Sequence, residues 1–183
     1  MEQQEFEQRL ATLAAADTTK RLREATADLL MALGYRRWIY ASDNPYGTLR
    51  LPATLANDYG MWMLTYMTKG YMKVDPILEH CRSSTEPLLW DSREGWDETP
   101  EKVQAMMRDA AENGFGSGVA IPLRLPDQPQ GVINVTSPVP LADSQAHFEA
   151  MLPCLRQVGM TLHAGMINIL KESARYEENL VNS

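Results

Sequence analysis

The residues on this chain most able to do chemistry begin with three aromatic side chains that carry polar hydrogens. Tyr59, Trp62 and Tyr66 fall at positions i, i+3 and i+7, which puts all three on one face of a helix. Two offer a phenol hydroxyl and one an indole N–H, and such groups find partners when buried. Nine residues after Tyr66 comes Asp75, between Val74 and Pro76. Its apolar neighbours point to partial burial, and a buried carboxylate without hydrogen-bond donors costs roughly several kcal/mol. Trp90 follows in Leu88-Leu89-Trp90. Together these groups bring several hydrogen-bonding atoms into apolar surroundings. Each also has an ordinary explanation. The aromatic face could be core, Asp75 before Pro76 has the form of a helix N-cap, and Trp90 could anchor a loop. Their joint spacing is what favours a binding site.

Enzyme signals are weak. His80, His147 and His163 belong to no nucleophile motif or metal-ligand spacing. Gly114, Gly116 and Gly118 form G-x-G-x-G, but they follow a helix pattern and precede a strand pattern, the reverse of a dinucleotide fingerprint. A helix stop and a tight turn explain them. Asn134-Val135-Thr136 matches a glycosylation sequon, in a strand pattern of a chain without a signal peptide. Cys81 and Cys154 read as reduced core thiols. No cofactor, no metal site and no enzyme activity are expected.

The 183 residues suit one domain with a sizeable core. A net charge of -7 is unsuited to neutralising nucleic-acid phosphates. No apolar run is long enough to span a membrane, so a soluble cytoplasmic protein is expected. Helical spacing marks Glu5–Ala15 and a second helix capped by Thr18 or Thr19 and stopped by Gly34. Tyr35–Ala41 reads as a strand and Asn44–Pro52 as a loop with Gly47 among its breakers. Helices are expected over Asn57–Lys69, from Pro76, and from Thr99 as cap to Gly114; a loop carries Pro87, Trp90 and Trp96. Gly118–Leu125 and Gly131–Ser137 read as a hairpin, and Asp143 or Ser144 caps a long last helix containing Pro153. The expected fold is α+β, a small antiparallel sheet between helical layers enclosing a ligand pocket.

The pattern Trp62-x3-Tyr66-x8-Asp75-Pro76-x13-Trp90, continued by Gly114-x3-Gly118, Ile121-Pro122 and Gly131, resembles the N-terminal autoinducer-binding domain of LuxR-type quorum-sensing regulators. That resemblance implies an N-acyl-homoserine lactone as ligand. It assigns Trp62 to the lactone carbonyl, Asp75 to the ligand's amide N–H, Tyr66 to the amide carbonyl and Trp90 to the lactone ring. Asn134 falls where many members carry Ser or Thr facing the same carbonyl. Tyr59, Trp96, Phe115, Val119 and Ile121 are candidate sleeve or lid residues, with core as the competing role. The family also implies a homodimer, and DNA binding through a C-terminal helix-turn-helix. On this basis residues 1–175 form the sensing domain and 176–183 start a linker, with the helix-turn-helix expected beyond Ser183 or missing.

Two departures stand out. Many members place a Tyr four residues before the Trp, where this chain has Asp58, with Tyr59 one later. Asn134 is larger than Ser or Thr. Other readings therefore stay open: a short decoy that dimerises with a full-length regulator, a receptor for a different small signal molecule and, last, a lactone hydrolase.

Overall fold

The computed structural model of the protein describes residues 1–46 and 52–181. Helices α1 (Gln3–Ala14) and α2 (Thr19–Ala32) open the chain, and the Thr18 hydroxyl oxygen caps α2 by accepting the Arg21 N–H at 3.3 Å. Strands β1 (Arg37–Ser42) and β2 (Ala53–Asn57) follow, then α3 (Gly60–Thr68), a 3-10 turn over Tyr71–Lys73, and α4 (Pro76–Ser83). The chain continues as β3 (Leu88–Asp91), α5 (Glu101–Glu112), β4 (Ser117–Leu123), β5 (Gly131–Ser137) and α6 (Leu141–Val181).

The expected architecture stands, with two strands more than the sequence pattern suggested. The five strands form one antiparallel sheet in the order β2-β1-β5-β4-β3. Leu88–Asp91, expected in a loop, pairs with β4 as an edge strand. Ala53–Asn57 pairs with β1, so α3 begins at Gly60 and not at Asn57. Both added strands are short, and short edge strands carry too few residues to show a period. Gly47 and the rest of 47–51 lie outside the described residues. Caps also differ. Pro100 occupies the N-cap position of α5, while the Thr99 hydroxyl donates to the Trp96 carbonyl at 2.6 Å. Helix α6 starts before Asp143 and Ser144; its first N–H, from Leu141, goes to Asp91 Oδ2 at 2.6 Å. It runs on through residues 176–181.

Strand alternation divides the sheet between two cores. One face presents Trp38, Tyr40, Val119, Ile121, Ile133 and Val135 to α1, α2 and α6, against Leu22, Leu29, Phe148, Leu155 and Leu162. Val119 and Ile121 are thereby removed from the ligand sleeve: they flank Ala120 and point to the opposite face. Behind this face the buried His163 lies 2.8 Å from the Tyr40 hydroxyl through Nδ1 and 3.0 Å from the Pro129 carbonyl through Nε2. Burial lowers its pKa, and a neutral ring donating from Nε2 to the carbonyl satisfies both contacts. The other sheet face turns Ile39, Ala41, Ala120 and Val132 toward α3, α4 and α5. Among the described residues no helix is long and apolar enough to cross a membrane.

Candidate ligand-binding site

A cavity of about 520 Å³ lies between that second sheet face and the layer of α3, α4 and α5. The sheet contributes Ile39, Ala41, Val132, Asn134 and Thr136; the helices contribute Trp62, Tyr66, Ile77, Leu78, Met106 and Met107. Of the sequence-derived candidates, Tyr59, Trp62, Tyr66, Asp75, Trp90, Phe115 and Asn134 all line this one cavity. Trp96 does not. It packs half-buried against the same apolar cluster and donates its indole N–H to the Asp91 carbonyl.

Asp75 does two things at once. Its Oδ1 caps α4, accepting the Ile77 N–H at 2.8 Å and the Leu78 N–H at 3.4 Å. Its Oδ2 accepts the Tyr66 hydroxyl at 2.7 Å, and Asp75 and Tyr66 both line the cavity. Asp75 is thus both the α4 cap and a cavity-lining residue, with its two oxygens on different partners. Burial raises the carboxyl pKa and outweighs the donors from Tyr66, Ile77 and Leu78 that lower it. Burial, followed by the Asp75 charge, pushes the Tyr66 phenol well above its ordinary value, so Tyr66 keeps its proton. That proton is committed to Asp75.

Trp90 reaches from edge strand β3 across β4 to β5, and its Nε1–H donates to Asn134 Oδ1 at 3.0 Å. The glycine beneath makes this possible. Gly118 pairs with Trp90, and a Cβ at Gly118 would come within 2.5 Å of the indole ring. Trp62 is buried beside the rings of Tyr66, Tyr71 and Phe115 at 5.9, 6.1 and 5.8 Å. Its Nε1–H has no hydrogen-bond partner among the described residues. The Tyr59 hydroxyl is buried and likewise unpartnered. Thr136 lies near enough to influence the phenol, but the two hydroxyls are not in hydrogen-bonding geometry.

The Asp58 departure has a structural explanation. Asp58 adopts φ 57 and turns out of the cavity to pair with Arg36 at 3.0 Å and Arg37 at 3.5 Å. Tyr59 supplies the wall instead, with its ring 4.9 Å from that of Phe115. Arg37 went unnoticed in the sequence. Its Nη1 donates to the carbonyls of Asn113 at 3.2 Å and Gly114 at 2.8 Å, and its guanidinium lies 5.0 Å over the Phe115 ring. It thereby ties the end of α5 to the segment that carries Tyr59. Gly114, at φ 80, makes the turn that brings these carbonyls to Arg37. Cys81 also lines the cavity; burial pushes its thiol up to about 12, which keeps it protonated and unreactive.

A family model described as the autoinducer binding domain matches residues 18–166. The chain belongs to the autoinducer-binding-domain family. As such it is a ligand-sensing domain of the LuxR type, and its quorum-sensing relatives are regulators. Among curated relatives, the transcriptional activator AnoR of Acinetobacter nosocomialis is 32% identical over 62 residues, covering 33% of this chain and 26% of AnoR. The transcriptional activator TraR of Rhizobium radiobacter is 22% identical over 97 residues, covering 53% of this chain and 42% of TraR. The matched segments thus span less than half of either relative. Among solved structures, the LuxR-family N-acylhomoserine-lactone-dependent factor CepR2 of Burkholderia cenocepacia superposes with TM-score 0.74 at 21% identity, covering 91% of this chain and 95% of that one. Escherichia coli SdiA in complex with octanoyl-rac-glycerol gives TM-score 0.61 at 18% identity, with 93% and 70% covered. At such identities the structural likeness speaks for the fold of this autoinducer-binding domain.

Sequence reasoning missed the α5 wall of Met106, Met107 and Ala110. Its signal was present as an apolar stripe on a helix between Thr99 and Gly114. What a single helix cannot reveal is which of the two sheet faces it covers.

Proposed function

We propose that the domain binds an N-acyl-homoserine lactone in this cavity and that, within a longer regulator, binding promotes dimerisation and DNA recognition. The observation that carries the proposal is the distribution of hydrogen-bonding groups in an otherwise apolar cavity. Two N–H donors without partners among the described residues, on Trp62 and Asn134, line the same cavity as the Asp75 carboxylate, whose Oδ2 accepts from Tyr66. An acyl lactone offers the complement: two carbonyls, one amide N–H and an apolar tail. Trp62 donates to the lactone carbonyl and Asp75 Oδ2 accepts the amide N–H. Asn134 Nδ2 donates to the amide carbonyl, because the Tyr66 proton already goes to Asp75; Tyr66 holds that carboxylate in place. Trp90 covers the lactone ring, Tyr59 and Phe115 close the wall, and Trp96 backs it from outside the cavity. The domain of residues 1–175 is the sensing unit, and DNA contact falls to a segment outside it, since a net charge of -7 opposes phosphate binding.

Calorimetric titration with acyl-homoserine lactones of several chain lengths, and with an acylglycerol as a ligand lacking N–H, tests the proposal. Saturable binding of a lactone at one per chain, without turnover, is expected. An acylglycerol that binds while no lactone does would transfer the site to a different signal molecule.

A further inference from the structure

Helix α3 forms one wall of the cavity and has few fastenings. Trp62 is the one buried residue among its nine, and its outer face carries Met61 and Leu64, both exposed. Residues with positive φ bracket it: Asp58 and Gly60 on the N-terminal side at 57° and 42°, and Gly70 after it at 65°. Hinges are drawn from such element-terminal positions, and glycine rotates there at little steric cost. The N-terminal end is pinned through Asp58 to Arg36 and Arg37. The C-terminal end is fastened at one atom: Asp109 Oδ2 on α5 accepts from Lys69 Nζ and from the Tyr71 hydroxyl, each at 2.6 Å. Tyr71 is buried, and its ring lies 6.1 Å from that of Trp62 and 6.2 Å from that of Tyr66. Within the cavity the Tyr66 bond to Asp75 adds a third hold. On either side of the Asp109 fastening in sequence, Met67 and Met72 line the cavity while remaining 55% and 36% exposed. The same side chains thus face the cavity and the solvent.

We propose that α3 is the door of the cavity, pivoting at Gly60, and that the grip of Lys69 and Tyr71 on Asp109 is the latch that sets how fast ligand enters and leaves. This rests on the cavity being a ligand site and not on the ligand being a lactone. The opposite wall is a sheet whose strands are tied to one another along their length, so it is the less able to move. Swinging α3 breaks two hydrogen bonds to one carboxylate, one of them an ion pair from the half-exposed Lys69, together with the Tyr66–Asp75 bond. The passage then opens beside Met67 and Met72. Lys69, Tyr71 and Asp109 do not line the cavity, so the latch is the same with or without ligand. Its loss therefore speeds entry and exit alike and leaves affinity close to its original value.

The buried Cys81 thiol lines the cavity and reports its opening. The test is its alkylation by N-ethylmaleimide in the ligand-free protein, followed by peptide mass spectrometry, in the wild type and two variants. Asp109→Ala removes the latch; Tyr71→Phe removes one of its two donors and keeps the ring. Alkylation of Cys81 should be roughly fivefold faster in Asp109→Ala, the scale of a charged hydrogen bond lost at a partly exposed site, and intermediate in Tyr71→Phe. The rates should hardly change in low urea, because a swinging helix exposes little new surface, whereas labelling through global unfolding climbs steeply. Equal rates in all three proteins would overturn the latch, as would rates that climb with urea in step with unfolding. Stopped-flow mixing with N-octanoyl-homoserine lactone, read by tryptophan emission, gives a second readout: association and dissociation should both quicken in Asp109→Ala. An affinity lost through faster dissociation alone would make Asp109 a support of the closed site and overturn the proposal. Failure of this lactone to bind would count against the lactone reading alone, and the Cys81 rates would still decide the latch.

Discussion

Trp90 and Asn134 are joined across an intervening strand: the indole N–H of one meets the side-chain carbonyl of the other at 3.0 Å, over a position occupied by Gly118. The contact fixes the tilt of the ring over the cavity and the orientation of the amide below it. Gly118→Ala tests it. The added Cβ would come within 2.5 Å of the ring, and overpacking of this kind costs about 1–3 kcal/mol. Urea denaturation should show that loss, and lactone affinity should fall with it. A variant of unchanged stability and affinity would mean that Trp90 has room to move.

Asp75→Asn should separate stability from binding. Burial holds the Asp75 carboxyl above the ordinary carboxylate value, so as pH falls the folded protein takes up a proton there before the unfolded chain does. The charge therefore favours folding less as pH rises through the raised value, and at neutral pH it is a net cost. Asparagine keeps an oxygen for the α4 cap but turns N–H toward the ligand's own N–H. At neutral pH the unliganded variant should be at least as stable as the wild type by chemical denaturation. Its lactone affinity should fall by roughly 1.5–3 kcal/mol, the scale of a hydrogen bond to a charged group. A large stability loss with unchanged affinity would reverse the assignment of the two oxygens.

Arg37→Met should loosen the aromatic wall from behind. The substitution removes both bonds to the α5 end and the ion pair with Asp58, while keeping an apolar stem over Phe115. With this side chain partly exposed, the expected cost is about 1–2 kcal/mol, read as a lower thermal midpoint. The tryptophan emission of the lactone-bound state should shift as well, because Phe115 packs against Trp62.

Trp62→Phe removes one donor and little volume. Affinity for the lactone is expected to drop by roughly 1–2 kcal/mol, with a smaller effect on an analogue whose ring lacks the carbonyl. Equal losses for both ligands would mean that Trp62 only packs.

Much of this was legible in the sequence because residue type and spacing carried it. The Tyr59-Trp62-Tyr66 face and the Asp75-Pro76 junction needed only helix geometry to converge. The competing explanations are compatible in geometry: Asp75 caps α4 through Oδ1 and accepts from Tyr66 through Oδ2 while lining the cavity. What escaped depended on pairing between distant segments. Val119 and Ile121, for which sleeve and core both stood open, lie on the core face of the strand that packs on α6. Arg37 reaches the wall over a separation of 76 and 77 residues. The Trp90–Asn134 bond required a strand at Leu88–Asp91, four residues too short to announce itself.

Thermal unfolding in rising concentrations of an N-acyl-homoserine lactone tests most directly whether the cavity is a lactone site. A ligand at a hundred times its dissociation constant stabilises a folded domain by about 2.7 kcal/mol, which for a chain of this size raises the midpoint by roughly 5–10 °C. The prediction is a midpoint that climbs with the logarithm of ligand concentration in the wild type and climbs less in Trp62→Phe and Asp75→Asn. A midpoint that stays fixed for lactones of every chain length would contradict it.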